Sequence, residues 1–227
     1  MTPERFRRIR EVVDRRQPDL TVLMDGVHKP HNLAAIARSC DAVGIGVIHA
    51  IGRGGLRLTQ KAAGGVGRWV ALRRHANATQ ALEHLRGQGF RILAAHVDPD
   101  ATDFRQVDYT GPTVIAVGAE LEGLSEELLA AAEVRLHIPL LGMVESLNVS
   151  VATALVLFEA QRQRLVAGLY ARPRLSAPER ERLLFELAWP RVAAAARRQG
   201  QPYPKLDAAG FPVTRTSHRP AGRRRDA

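Results

Sequence analysis

The sequence predicts an α/β fold: a doubly wound, mostly parallel sheet flanked by N- and C-terminal helical extensions. Three observations predict it. From Leu20 onward, short β-branched or aliphatic runs alternate with helical stretches, the pattern of strands joined by crossover helices. The runs are apolar along most of their length, as strands covered on both faces are. The 227 residues are 45% hydrophobic, enough for the core of one domain with appendages, and only 5% aromatic, so that core is aliphatic.

The elements follow in chain order. Thr2-Pro3-Glu4 reads as a helix start, with a capping hydroxyl, proline at the first helical position and then an acid. That helix is expected to run to about Arg16, where Gln17-Pro18-Asp19 ends it. Strands are expected at 21–24, 47–51, 91–97, 113–118 and 134–138, with helices at 33–43, 78–88 and 125–132 between them. The longest helical stretch, 147–163, opens with LNVSVATALVLF, apolar nearly all round and so buried on several sides, and ends on the cation-bearing EAQRQR. Seven of the 13 prolines lie beyond Ala160, around further helices at 177–187 and after Pro190. Residues 200–227 mix Gly, Pro and Arg without periodicity and read as mostly disordered unless RNA orders them. The organisation expected is a helical extension (1–19), a central domain (20–168), a second helical extension (169–199) and a basic tail (200–227).

Composition excludes several classes. No stretch approaches the roughly 20 apolar residues of a membrane span, and the N-terminus is charged from Glu4 with no apolar signal core behind it, which points to the cytoplasm. The lone cysteine, Cys40, forms no internal disulfide; on the stripe Leu33, Ile36, Ala37, Cys40, Val43 it reads as a buried, inert thiol. The net charge of +10 is concentrated: residues 160–227 hold 15 Lys/Arg against 5 Asp/Glu, while residues 1–159 hold 18 of each sign. A neutral body with a cationic extension suits a polyanion. Solubility or contact with a membrane surface are other uses of such an extension, but the N-terminal cluster Arg5, Arg7, Arg8, Arg10, Arg15 and Arg16 favours nucleic acid.

Three segments carry residues of chemical interest. In His28-Lys29-Pro30-His31-Asn32, Asn32 is placed to cap the next helix, and Arg38 leaves that helix beside its core face, as a solvated or salt-bridged arginine also would. In VIAVGAELEGLS a buried strand runs into Gly118 and Glu120, at the end of a strand where open α/β sheets bind ligands; the two glycines would let backbone approach a ligand. In IPLLGMVESLNVSVA an unusually apolar loop enters the long helix through Ser146 and Asn148; if buried, its backbone needs partners that a ligand would supply. Dinucleotide and phosphate-loop fingerprints are absent, as are metal-ligand spacings and a hydrolase nucleophile elbow. The eight histidines are scattered along the chain. No covalent catalyst is visible, which fits direct transfer between two bound substrates.

Together and in this order, HKPHNLAAIARSCDAVG, VGAELEGLS and IPLLGMVESLNVSVATALVLFEAQRQR resemble the three motifs of the SPOUT superfamily of knotted methyltransferases. They are most similar to its TrmH group, the tRNA guanosine 2′-O-methyltransferases of the D-loop, with the likeness running from about Arg5 to Arg174. The resemblance implies a C-terminal trefoil knot in the sheet, S-adenosyl-L-methionine bound in that knot, methylation of the ribose of guanosine 18 in tRNA, and a homodimer whose active sites draw on both subunits. By motif position it implies catalytic roles for Asn32, Arg38, Glu120, Ser146 and Asn148. Cofactor contacts fall on Ala95, Gly118, Ile138, Leu140 and Leu147, and RNA contacts on Arg8, Arg16, Lys29, His31, Arg162 and Arg164, with no metal. Leu121 and Glu145 depart from the pattern, standing where a polar residue and a glutamine are common. Sister enzymes acting on ribosomal RNA often carry an N-terminal RNA-binding domain, whereas about 20 residues precede the first strand here, which favours tRNA. A non-enzymatic RNA-binding protein on the same fold is the remaining alternative, disfavoured by the joint presence of Arg38, Glu120, Ser146 and Asn148.

Overall fold

The computed structural model describes residues 1–52, 65–98 and 100–213. Seven strands form one sheet: β1 (Leu20–Asp25), β2 (Val47–Ile51), β3 (Ala71–His75), β4 (Arg91–Ala95), β5 (Thr102–Asp103), β6 (Thr113–Gly118) and β7 (Val134–His137). Their spatial order is β3-β2-β1-β6-β4-β7-β5, and every pairing is parallel. The helices are α1 (Pro3–Asp14), α2 (Pro30–Ala42), α3 (Ala78–Arg86), α4 (Glu126–Ala131), α5 (Val149–Val166), α6 (Ala177–Ala188) and α7 (Pro190–Arg198).

Alternation along each strand sorts the core into two layers. Val22 and Met24 of β1, Leu93 of β4 and Ile115 and Val117 of β6 face α2 and α5, meeting Leu33, Ile36, Cys40, Val156 and Leu157. Leu23, Ile92, Ala94, Val114 and Ala116 face the other way onto Ala81, Leu82 and Leu85 of α3 and Leu128 of α4. Both faces of the sheet are covered, so its strands are apolar on both sides. Cys40 is fully buried, and burial beside Asp41 pushes its thiol pKa well up, so the thiolate is suppressed. Asn77 caps α3 by accepting the Gln80 N–H at 2.9 Å, and Gln80 returns the bond to Ala76 N–H at 2.8 Å.

The chain divides into two compact units: Val12–Ser176, which holds the sheet, and Met1–Glu11 together with the chain from Ala177 on. In the smaller unit Trp189 donates its indole N–H to the Gly210 carbonyl at 2.7 Å, and Leu206 bridges Pro212. Gly210 sits at φ +86°, where a Cβ would stand 2.4 Å from the Phe6 ring. Residues 200–213 are therefore folded by aromatic packing that their irregular sequence hides; the rest of the expected disordered tail, 214–227, lies outside the described residues. The sequence reading also misses β3 and β5. β3 is an edge strand with the polar sequence ALRRH, exposed along most of its length, so it lacks the apolar signal; β5 has two residues.

Candidate active site

The carboxyl ends of β4, β6 and β7 and the start of α5 surround a cleft of about 500 Å³. All five residues expected to hold the cofactor line it: Ala95 ends β4, Gly118 ends β6, Ile138 and Leu140 follow β7, and Leu147 precedes α5. Glu120, Ser146 and Asn148 line the same cleft.

Hydrogen bonds tie three of the expected catalytic residues together. Asn148 donates its amide to Glu120 Oε1 at 2.7 Å and to Asn32 Oδ1 at 3.1 Å. Asn32 donates to the same Glu120 oxygen at 3.2 Å, and Lys29 pairs with Glu120 Oε2. The hydrogen bond from Lys29 holds the Glu120 carboxyl below its ordinary pKa, helped by Asn32 and by the charge of His31. Asn148 is also the N-cap of α5, accepting the Ser150 N–H at 2.9 Å. Asn32 is not a cap: α2 begins at Pro30, Lys29 holds the cap position, and Asn32 lies buried in the first turn with its amide spent on Glu120 and Asn148.

Two other expectations change in detail. Gly118 admits close approach, but of the chain's own backbone, since a Cβ there would lie 2.0 Å from the Gly123 carbonyl carbon. The apolar loop after β7 is not buried as a whole: Ile138, Leu140 and Leu147 line the cleft, while Leu141, Met143 and Val144 stand open, Leu141 and Met143 almost completely.

Arg38 is exposed on α2, does not line the cleft, and makes no hydrogen bond or ion pair among the described residues. Of the basic residues expected on RNA, Arg8 and Arg162 are exposed and pair with Glu11 and Glu159, while Lys29 and His31 lie beside Glu120. Arg16 and Arg164 are corrections. Arg16 is buried, donating to the carbonyls of Ile45 at 2.7 Å and Trp69 at 2.6 Å beside Asp41. Arg164 is fully buried; it donates to the carbonyls of Tyr109, Asp19 and Gly111 and pairs with Asp19 Oδ1 at 2.8 Å. Both guanidiniums satisfy backbone carbonyls that would otherwise be orphaned, and neither is open to solvent.

The sequence reading missed His137, which lines the cleft with a buried Nδ1 that has no partner among the described residues. It also missed a histidine cluster, because the three members are far apart in sequence. His49 Nδ1 lies 2.9 Å from His75 Nε2, and His84 stands 5.5 to 5.7 Å from both rings, centroid to centroid. Among the described residues no group of His, Cys, Asp or Glu is placed to hold a metal ion.

Comparison with known proteins agrees with this layout. Residues 19–158 match the model of the SpoU rRNA Methylase family, and residues 162–211 match that of the SpoU rRNA methylase C-terminal region. The tRNA (guanosine(18)-2′-O)-methyltransferase of Escherichia coli K12 is 50% identical over 92% of this chain and 93% of its own. The Thermus thermophilus protein of the same name is 57% identical over 77% of this chain and 90% of its own. The crystal structure of the Aquifex aeolicus TrmH/SpoU tRNA modifying enzyme superposes with a TM-score of 0.78 at 41% identity, covering 83% of this chain and 97% of that one. With the second and third motifs lining one cleft, the first tied to them through Asn32, and both family models matched in order, the chain belongs to the SpoU methylase family.

Proposed function

We propose that this chain is a tRNA (guanosine(18)-2′-O)-methyltransferase that uses S-adenosyl-L-methionine as methyl donor. The observation that carries the proposal is the meeting of the Asn32–Glu120–Asn148 network with the cleft at the strand ends. The two relatives named for this activity match 92% and 77% of the chain, which supports tRNA as the substrate.

The cleft fits such a donor. Ile138, Leu140 and Leu147 offer an apolar lining for an adenine and a thioether, and His137 lines the cleft beside them. When bound, the donor supplies an electrophilic methyl group on a sulfonium. Around it, Asn32 and Asn148 hold the Glu120 carboxylate in one orientation, and Ser146 stands exposed at the cleft. A guanidinium, with its pKa above about 12, is a poor base. Arg38 therefore acts by stabilising the charge that develops on the attacking 2′-oxygen, while a phosphate or water of the RNA takes the proton. Because Arg38 stands off the cleft of its own chain, it serves a homodimer in which the partner subunit's Arg38 completes the site. Val151, Leu155 and Phe158 leave an exposed apolar face on α5 for that contact, each 42 to 50% exposed. Arg8, Lys29, His31 and Arg162 are the exposed RNA contacts. No described helix is long and apolar enough to cross a membrane, and the enzyme acts on cytoplasmic tRNA.

The test is incubation of unmodified tRNA with labelled donor, followed by mapping of the methylated nucleotide. Methyl on the ribose of guanosine 18 is the expected result. Transfer only to ribosomal RNA, or none to any RNA, overturns it. Sedimentation as a monomer at micromolar concentration overturns the dimer.

A further inference from the structure

The smaller unit contains a cavity of about 580 Å³ that has no part in the site above. It is floored by Phe6 and Leu184, both buried, and walled by Tyr203. The Tyr203 ring is fixed twice: it stacks on Phe185 with centroids 4.8 Å apart, and its hydroxyl donates to Glu186 at 3.0 Å. Four cations line the cavity, Arg10, Arg180, Arg182 and Lys205, against two acids, Glu181 and Asp207.

These charges are not equally available. Arg10 lies over the Phe6 ring and donates to the Ala208 carbonyl. Asp207 Oδ1 accepts the N–H groups of Ala209 and Phe211 at 2.9 and 2.8 Å. Arg182 and Lys205 are exposed and make no side-chain hydrogen bond or ion pair among the described residues. A concave site with a rigid aromatic wall, an apolar floor and two uncommitted cations suits a planar base joined to a phosphate. Its volume lies within the roughly 300–1,000 Å³ range of ligand pockets. Within this unit, Met1–Glu11 and residues 177–213 hold ten Lys/Arg against six Asp/Glu, a cationic excess that attracts a polyanion.

We propose that this cavity receives an unpaired nucleotide of the RNA substrate, with Arg182 and Lys205 on its phosphates and Tyr203 against its base. The proposal rests on the reading of the protein as a tRNA enzyme and adds to it a second recognition site, built by the terminal helices.

The experiment titrates the full-length protein and its Arg182→Ala/Lys205→Ala variant with unmodified tRNA at several salt concentrations. For two lost phosphate contacts the expected change is on the order of tenfold weaker binding and a salt slope shallower by somewhat under two. Donor affinity and melting temperature, measured alongside, report that the variant is folded. Binding and slope equal to those of the parent overturn the site. Micromolar binding of GMP alone, lost in the variant while tRNA affinity is unmoved, overturns the RNA assignment in favour of a free nucleotide. Failure of the methylation reading is separable, since it would appear as absent methyl transfer by the parent protein, which the titration does not require.

Discussion

Asn148 binds Glu120 at 2.7 Å with its amide nitrogen while its amide oxygen caps α5. One side chain thus fixes both the start of that helix and the orientation of the carboxylate beside the cleft. Asn148→Asp separates the two jobs, because it keeps a capping acceptor but sets a second carboxylate against Glu120. We expect a near-parental melting temperature with methylation slowed about tenfold or more, a rise of roughly 1.4 kcal/mol in the barrier. Asn148→Ala should slow the reaction and in addition cost about 1 kcal/mol of stability for the lost cap. Equal rates for the parent and Asn148→Asp would show that the bond to Glu120 has no role in turnover.

Arg38 has no structural partner to lose among the described residues. Arg38→Ala should therefore melt as the parent does and bind the donor as tightly. Its single-turnover rate should fall by on the order of a hundredfold, the scale for one preorganised charge-stabilising donor. Arg38→Lys should recover little, since an ammonium cannot reproduce the guanidinium fork. A folded Arg38→Ala enzyme with near-parental turnover would remove Arg38 from the mechanism.

Arg16 and Arg164 invert this pattern. Arg164→Met leaves the carbonyls of Tyr109, Gly111 and Asp19 without their donor and should destabilise the protein by about 3 kcal/mol or more. Arg16→Met should behave alike. The salt slope of tRNA binding, measured below the melting range, should not change for either, because neither guanidinium is open to phosphate. A shallower slope in a folded variant would return these residues to the RNA surface.

The histidine cluster predicts a pH dependence of stability. Burial lowers the His49 pKa to about 3, helped by His75 and Arg73 on β3 and His84 on α3. Its folded pKa lies below the unfolded one, so its contribution is fully present above about pH 6.5 and is lost as pH falls toward about 3. One such group gives a slope of at most about 1.4 kcal/mol per pH unit. Denaturant melts at several pH values should show stability falling across that window, with a shallower fall in His49→Asn. Parallel curves for the two proteins would exclude His49 as the source.

Much of this was legible in the sequence, and the boundary is physical. The five apolar strands and the helices between them announce themselves by pattern, because residues such as Ile115 and Leu82 owe their place to the sheet faces they cover. β3 did not, because an exposed edge strand needs no apolar run. Within the site, motif position placed Ala95, Gly118, Ile138, Leu140 and Leu147 on one cleft. It did not reveal that Asn32 bonds Glu120 rather than capping, since an asparagine in a first turn looks alike in both roles. Charge was the least readable feature. An arginine carries the same letter whether it meets water or a set of buried acceptors, and only packing separated Arg164 from Arg162.

The central pairing of the sheet sets the order in which the molecule is able to assemble. β1 lies against β6, with Leu20 beside Thr113, 93 positions later in the chain. During synthesis at about 5–20 residues per second, β1 waits several seconds for its inner neighbour, and β4, made earlier than β6, has nothing in the centre to join. β7 and α5, which close the cleft, arrive later still. The nascent chain thus holds an unpaired, mostly apolar strand edge through much of its emergence. Slow folding and a need for protection from association follow from the strand order alone, whatever the stability of the finished protein.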